Sequence, residues 1–246
     1  MIRKAASAVL IVLLAAAVLY AMTGREIIDK ANNLKGADSA ESKIEMIIFK
    51  GGRELVKEFE IKTKKVGGET RTLSAFIKPT KMKVLSHAHA GRDDDQWIRL
   101  SSGKVKRIVG GERDKPFAGS HMTYDDLESR ETDDFTYKKL SDATTMGTPC
   151  YVVEAVKTVG TINYDKIVLH VRKADFFVIR VDFYKHGKLF KFLENNNVQN
   201  ISGILTPMEV IMTMANGEGK TILKVKSVQY NIRIPDSVFS KGALGK

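Results

Sequence analysis

The chain has 246 residues, 43% hydrophobic and 28% charged, with a formal net charge of +11 and a single cysteine. These values exclude a wholly disordered chain and an internal disulfide framework. Lys and Arg are spread over almost every segment and alternate with apolar residues. That is the pattern of solvated strand faces and excludes a concentrated nucleic-acid cleft, although a basic surface suits anionic lipid headgroups or an acidic partner.

Met1 to Lys4 form a short basic region, and Ala5 to Ala21 an uncharged apolar run. This layout predicts a secretory signal over residues 1–21, cut after the small Ala21. A retained N-terminal membrane anchor is the alternative, because Leu19 occupies a position before the cut where small residues are preferred and the run just reaches bilayer-spanning length. Export places the remainder, residues 22–246, in the periplasm as a single β-rich domain.

Thr23 and Glu26 have the spacing of a capping box that opens a helix. Ile27, Ile28, Ala31 and Leu34 then form one apolar stripe, and Gly36 is placed to end it. A helix with a single greasy face needs a sheet to lie on. From Ser42 to Lys106 the period becomes two. Lys43 to Phe49 reads as a strand, Gly51-Gly52 as a turn, and Leu55 to Lys62 as the next strand. Gly67-Gly68 turns into a third, Thr70 to Ile77, so an antiparallel meander is expected.

Gly110 to Thr132 is less regular and reads as a long loop with one short helix, a lid or plug over the sheet. Strands resume at 135–140, 151–158, 162–172, 176–184, 188–193, 205–214 and 221–234. In the last, the apolar set slips from Leu223 and Val225 to Val228 and Tyr230, which calls for a bulge near Lys226. The sum is a mainly β, α+β fold. About eleven antiparallel strands must curve into an incomplete barrel to cover their apolar face.

No serine elbow, phosphate loop, zinc-protease helix or paired-cysteine motif is present, so no catalytic residue, cofactor or metal is expected and the protein reads as a non-enzyme. His87 and His89 stand near Asp93, Asp94 and Asp95. Adjacent strand residues point to opposite faces, however, and this region reads as a polar hairpin. Cys150 reads as a small core residue. Bulky flexible groups are more informative. Met208, Met212 and Met214 occupy alternate positions on one strand face, and Phe59 and Phe177 stand on other strands. A curved sheet lined in this way can enclose a hydrophobic ligand.

The segments Asp93-Asp94-Asp95-Gln96-Trp97-Ile98, Lys106-Arg107-Ile108 and Gly119-Ser120-His121-Met122-Thr123-Tyr124-Asp125-Asp126-Leu127 follow one another in order. In this the chain resembles the bacterial outer-membrane lipoprotein-sorting proteins, relatives of the periplasmic carrier LolA and its receptor LolB. It departs from their pattern at Arg99, where Tyr is usual, at Ser101, where Pro is usual, and at His121, where Asp is usual. The resemblance implies an incomplete barrel with helices on its concave apolar side and a cavity for lipid or lipoprotein acyl chains, with no catalytic residues. The candidate lining is then Trp97 near the motif loop, Phe117 and Met122 on the lid, Phe59, Phe177 and the Met208–Met214 strand. The other expected reading is an envelope interaction module, such as an accessory to a membrane transporter.

Overall fold

The computed structural model describes residues 22–90, 92–128, 132–159 and 163–245. The expected signal or anchor over residues 1–21 lies outside them. Among the described residues no helix is long and apolar enough to cross a membrane.

Helix α1 (Gly24–Asn32) opens with the expected box: Glu26 N–H donates to Thr23 Oγ1 at 3.2 Å, and Thr23 N–H donates to Glu26 Oε2 at 2.7 Å. It stops at Asn33, short of Gly36. Its stripe packs Ile27 and Ile28 against Val153 and Val171. The fit is close at Gly24, where a Cβ would stand 2.9 Å from the Lys139 amide nitrogen, so no larger residue is accommodated without a shift.

The strands are β1 (Ser39–Lys50), β2 (Arg53–Val66), β3 (Glu69–Lys78), β4 (Met82–His87), β5 (Asp95–Arg99) and β6 (Val105–Ile108). After a long connection follow β7 (Phe135–Lys139), β8 (Ala143–Thr145), β9 (Thr148–Lys157), β10 (Lys166–Arg172) and β11 (Val178–Lys185). β12 (Lys188–Ile201), β13 (Ile204–Met214) and β14 (Gly219–Tyr230) complete the set, and a short helix α2 (Lys241–Leu244) closes the chain. All fourteen belong to one antiparallel sheet in the order β6-β5-β4-β3-β2-β1-β14-β13-β12-β11-β10-β9-β7, with β8 on β9. The edges β6 and β7 do not pair, so the sheet is a curved, incomplete barrel. Lys226 is the extra residue between Ser227, opposite Lys43, and Val225, opposite Ile44, which is the expected bulge.

Part of the excess over the expected eleven strands is short ones: β6 and β8 hold only four and three residues. So few positions show no measurable alternation.

Side-chain alternation divides the sheet into two faces. On the concave face Ile44, Met46, Ile48, Phe59, Phe76 and Met212 belong to one core. On the convex face Leu73 is opposite Leu85, and Leu85 is opposite Trp97. The chain after β14 crosses this row and buries it under Ile234, Phe239 and Leu244.

Candidate functional site

The concave face has two covers. α1 lies over one end, above β9 and β10. The rest is filled by residues 109–128, which form a plug with short 3-10 turns at Gly110–Glu112, Phe117–Gly119 and Asp125–Leu127. Within it the chain reverses at Ala118 and Gly119, whose φ angles are 52° and 78°. Phe117 N–H donates to the Met122 carbonyl at 2.7 Å, closing a small loop that drives both side chains into the core. Tyr124 packs edge-on against Phe117 at 5.8 Å between ring centres.

Side chains from the strands hold this plug. Lys191, on β12, is 1% exposed and donates to Asp126 Oδ2 at 2.5 Å and to the His121 carbonyl at 3.1 Å. Tyr164 O–H donates to the other Asp126 oxygen at 2.8 Å. Burial and then the Asp126 charge push the Tyr164 phenol far above its usual range, so it stays a donor. His121 N–H donates to Thr221 Oγ1 at 3.0 Å, and the same hydroxyl lies 2.9 Å from His121 Nδ1. Burial, with Lys50 and Lys191 nearby, lowers the His121 pKa and keeps the ring neutral. Lys57, on β2, donates to the Ala118 carbonyl at 2.6 Å. Its pKa is lowered by burial.

Between plug and sheet lies a cavity of about 140 Å³, bordered by Phe59, Ile61, Val84, Phe117, Met122 and Leu223. Thr72, Ser74, Ser86 and Gln96 supply its polar wall. A second cavity of about 60 Å³ lies beneath α1 between Ile28, Phe135 and Leu169. The larger one is close to the roughly 150 Å³ that admits one benzene molecule in an engineered apolar cavity. A whole acyl chain fits only if the plug moves outward.

The structure brings Phe59, Phe117 and Met122 together on the cavity wall. Met212 is fully buried in the same core, and Met214 is buried opposite Lys191. Met208 is half-buried on the same strand. Phe177 stands outside the core, in the turn before β11, with its ring 5.1 Å from the Arg172 guanidinium. Trp97 leaves the expected lining: its neighbours Gln96 and Ile98 face the concave side, so alternation puts the indole on the convex face, under the chain after β14. Alternation along β2 already puts Lys57 on the face of Phe59 and Ile61, and its register opposite Met46 agrees. Sequence reasoning missed Lys191 and Thr221 as concave residues, because lone polar residues within strands read as solvent-facing. Register identifies these two: Lys191 is opposite Met214, and Thr221 opposite Ile48.

Other titratable clusters are accounted for by local pairing. His89 lies between Glu69 and Asp95, at 3.0 Å and 3.1 Å. Among the described residues no group of His, Cys, Asp or Glu is arranged to hold a metal ion. Cys150 is buried, and burial raises its thiol pKa. Arg113 bridges Asp93 at 2.9 Å and Glu128 at 2.7 Å. Burial, opposed by Arg113, raises Glu128 to about 7.

An open, curved antiparallel sheet of fourteen strands with an N-terminal helix is a LolA-like fold. The chain is similar to an outer membrane lipoprotein-sorting protein domain from Vibrio parahaemolyticus, at TM-score 0.85 and 27% identity over 91% of this chain and 98% of that one. A DUF1329 family protein from Desulfovibrio piger matches at TM-score 0.86 and 24% identity, over 90% of this chain and 97% of that one. A LolA superfamily protein from Nitrosomonas europaea matches at TM-score 0.71 and 20% identity, over 91% of this chain and 100% of that one. These last two likenesses concern the fold. The chain belongs to the family whose model, described as "Uncharacterized protein", matches residues 68–246. No curated protein matches the chain.

Proposed function

We propose that the protein is a periplasmic carrier for hydrophobic ligands, lipid or lipoprotein acyl chains, and works without catalysis. The observation that carries this reading is the cavity of about 140 Å³ between the concave sheet and a plug hung on polar anchors. Phe59, Phe117 and Met122 line it, and Met212 and Met214 are buried on the same apolar face. Outward movement of the plug would open the concave face to a chain. Each methylene then buried contributes about 0.8 kcal/mol, so even half of a C16 chain gives usable affinity. The formal charge of +11 favours approach to anionic membrane surfaces or an envelope membrane-protein partner.

The test is native mass spectrometry on the protein expressed from its full sequence into a bacterial envelope and purified without detergent. A mass excess that disappears on denaturation, with phospholipid or acyl chain in the organic extract, is the expected result. The second reading, an envelope interaction module, is favoured by how completely the plug fills the trough. It predicts an empty protein that also refuses added lipid.

A further inference from the structure

The polar wall of the larger cavity is an ordered row rather than a scatter. Thr72 on β3 is opposite Ser86 on β4, and Ser86 is opposite Gln96 on β5. Three neutral hydrogen-bonding side chains therefore stand side by side across three strands, on a face otherwise given to Phe59, Val84 and Ile98. Gln96 is 0% exposed. Its amide orientation is fixed, because Nε2 donates to the Tyr124 carbonyl at 3.0 Å. Oε1 is left without a hydrogen-bond partner. A buried amide oxygen with no donor is an unmet demand, and here it belongs to a residue on the wall of a cavity large enough for a small group.

Apolar pockets use a few polar groups to fix which end of a ligand goes where. We propose that the row Thr72–Ser86–Gln96 is a headgroup subsite, and that the ligand is an acyl amphiphile whose head is neutral and carries an O–H or N–H donor. The head donates to Gln96 Oε1 and exchanges hydrogen bonds with the Ser86 and Thr72 hydroxyls. The tail runs toward Phe59, Phe117 and Leu223 at the apolar end. Among the described residues that line the cavity none is charged, so the row selects by donors and not by headgroup charge. This inference rests on the carrier reading and specifies its ligand class.

The experiment is displacement of a fluorescent polyene acyl probe from delipidated full-length protein by three palmitoyl compounds. 1-Monopalmitoylglycerol offers hydroxyl donors, palmitamide offers N–H donors, and methyl palmitate offers none. One donor-bearing compound, or both, is expected to bind about tenfold more tightly than methyl palmitate, the factor a single well-made hydrogen bond supplies. Whichever wins identifies the source of the donor. In Gln96→Leu the preference is expected to fall within about twofold while methyl palmitate binding persists. Because Gln96 also holds Tyr124, the pair Ser86→Ala with Thr72→Val tests the row without touching the plug, and it too should lower the preference. Equal affinity for all three compounds, or a preference that survives in both variants, overturns the subsite but leaves a carrier. Failure of the probe and of all three compounds to bind overturns the carrier reading itself.

Discussion

Lys191 and Asp126 meet at 2.5 Å with side chains 1% and 5% exposed, joining the middle of the sheet to a loop 65 residues away in sequence. The ammonium sits over the rings of Tyr164 and Phe183. A lone charge in such a place is costly to bury, so neither member tolerates loss of the other. Lys191→Met is expected to destabilise the protein by about 3–5 kcal/mol in urea unfolding. Adding Asp126→Asn, which removes the stranded charge but keeps an acceptor for Tyr164, should recover part of that loss. Equal destabilisation of single and double variants would show that the charge is not what matters.

Lys57 plays a lighter part, with one hydrogen bond to the Ala118 carbonyl. Lys57→Met should alter global stability by only about 0.5–1.5 kcal/mol, the worth of one such bond. The plug should loosen more than the whole: amide exchange across residues 116–123 is expected to quicken while exchange in β12 and β13 stays unchanged. Uniform acceleration across the sheet would mean that Lys57 supports the fold generally.

The pH dependence has a defined sign at Glu128. Its carboxyl is raised to about 7 by burial, against an ordinary value of 4.5. The folded state therefore binds a proton more tightly than the unfolded one. This contribution to stability is present in full below about pH 4.5 and is lost as the pH rises through 7. Glu128→Gln should melt higher than the parent at pH 8 and no higher at pH 4.5, with the two thermal curves converging between.

Trp97 is the single tryptophan, so its fluorescence reports one place. It is buried on the convex face with Lys241 Nζ 4.5 Å above the ring. Loading the concave cavity with an acyl compound should leave its emission maximum unmoved. Leu244→Asp, which drives a charge into the cover, should shift the emission to the red. A ligand-induced shift in the parent protein would place Trp97 at the site after all.

Much of the architecture is readable in the residues because it follows from local rules. The capping box of α1 is a matter of two side chains and a spacing of three. The glycine pairs mark the β1–β2 and β2–β3 turns because both members of each adopt positive φ. The slip of apolar residues along β14 reveals its bulge at Lys226. Phe59, Phe117 and Met122 border the cavity, as their size and apolar character suggest, whereas Trp97 and Phe177, equally large, do not.

Which of two faces a strand residue takes is decided by register, and register is set by partners distant in the chain. Trp97 looks like a lining residue until β5 pairs with β4 and turns Gln96 inward in its place. Lys191 looks like an ordinary solvent-facing lysine until a loop from the middle of the chain supplies its acceptors, and the same loop gives Lys57, already on the face of Phe59, its partner. The chain after β14 shows no pattern of its own, yet Phe239 and Leu244 are fully buried because they meet a row built from β3, β4 and β5. The sequence by itself determined the β class, the turns, the helix and the presence of an apolar interior, since each depends on neighbours along the chain. Only the tertiary structure decided which side chains face the cavity and what holds its plug, since those depend on contacts that exist only once the sheet has curved.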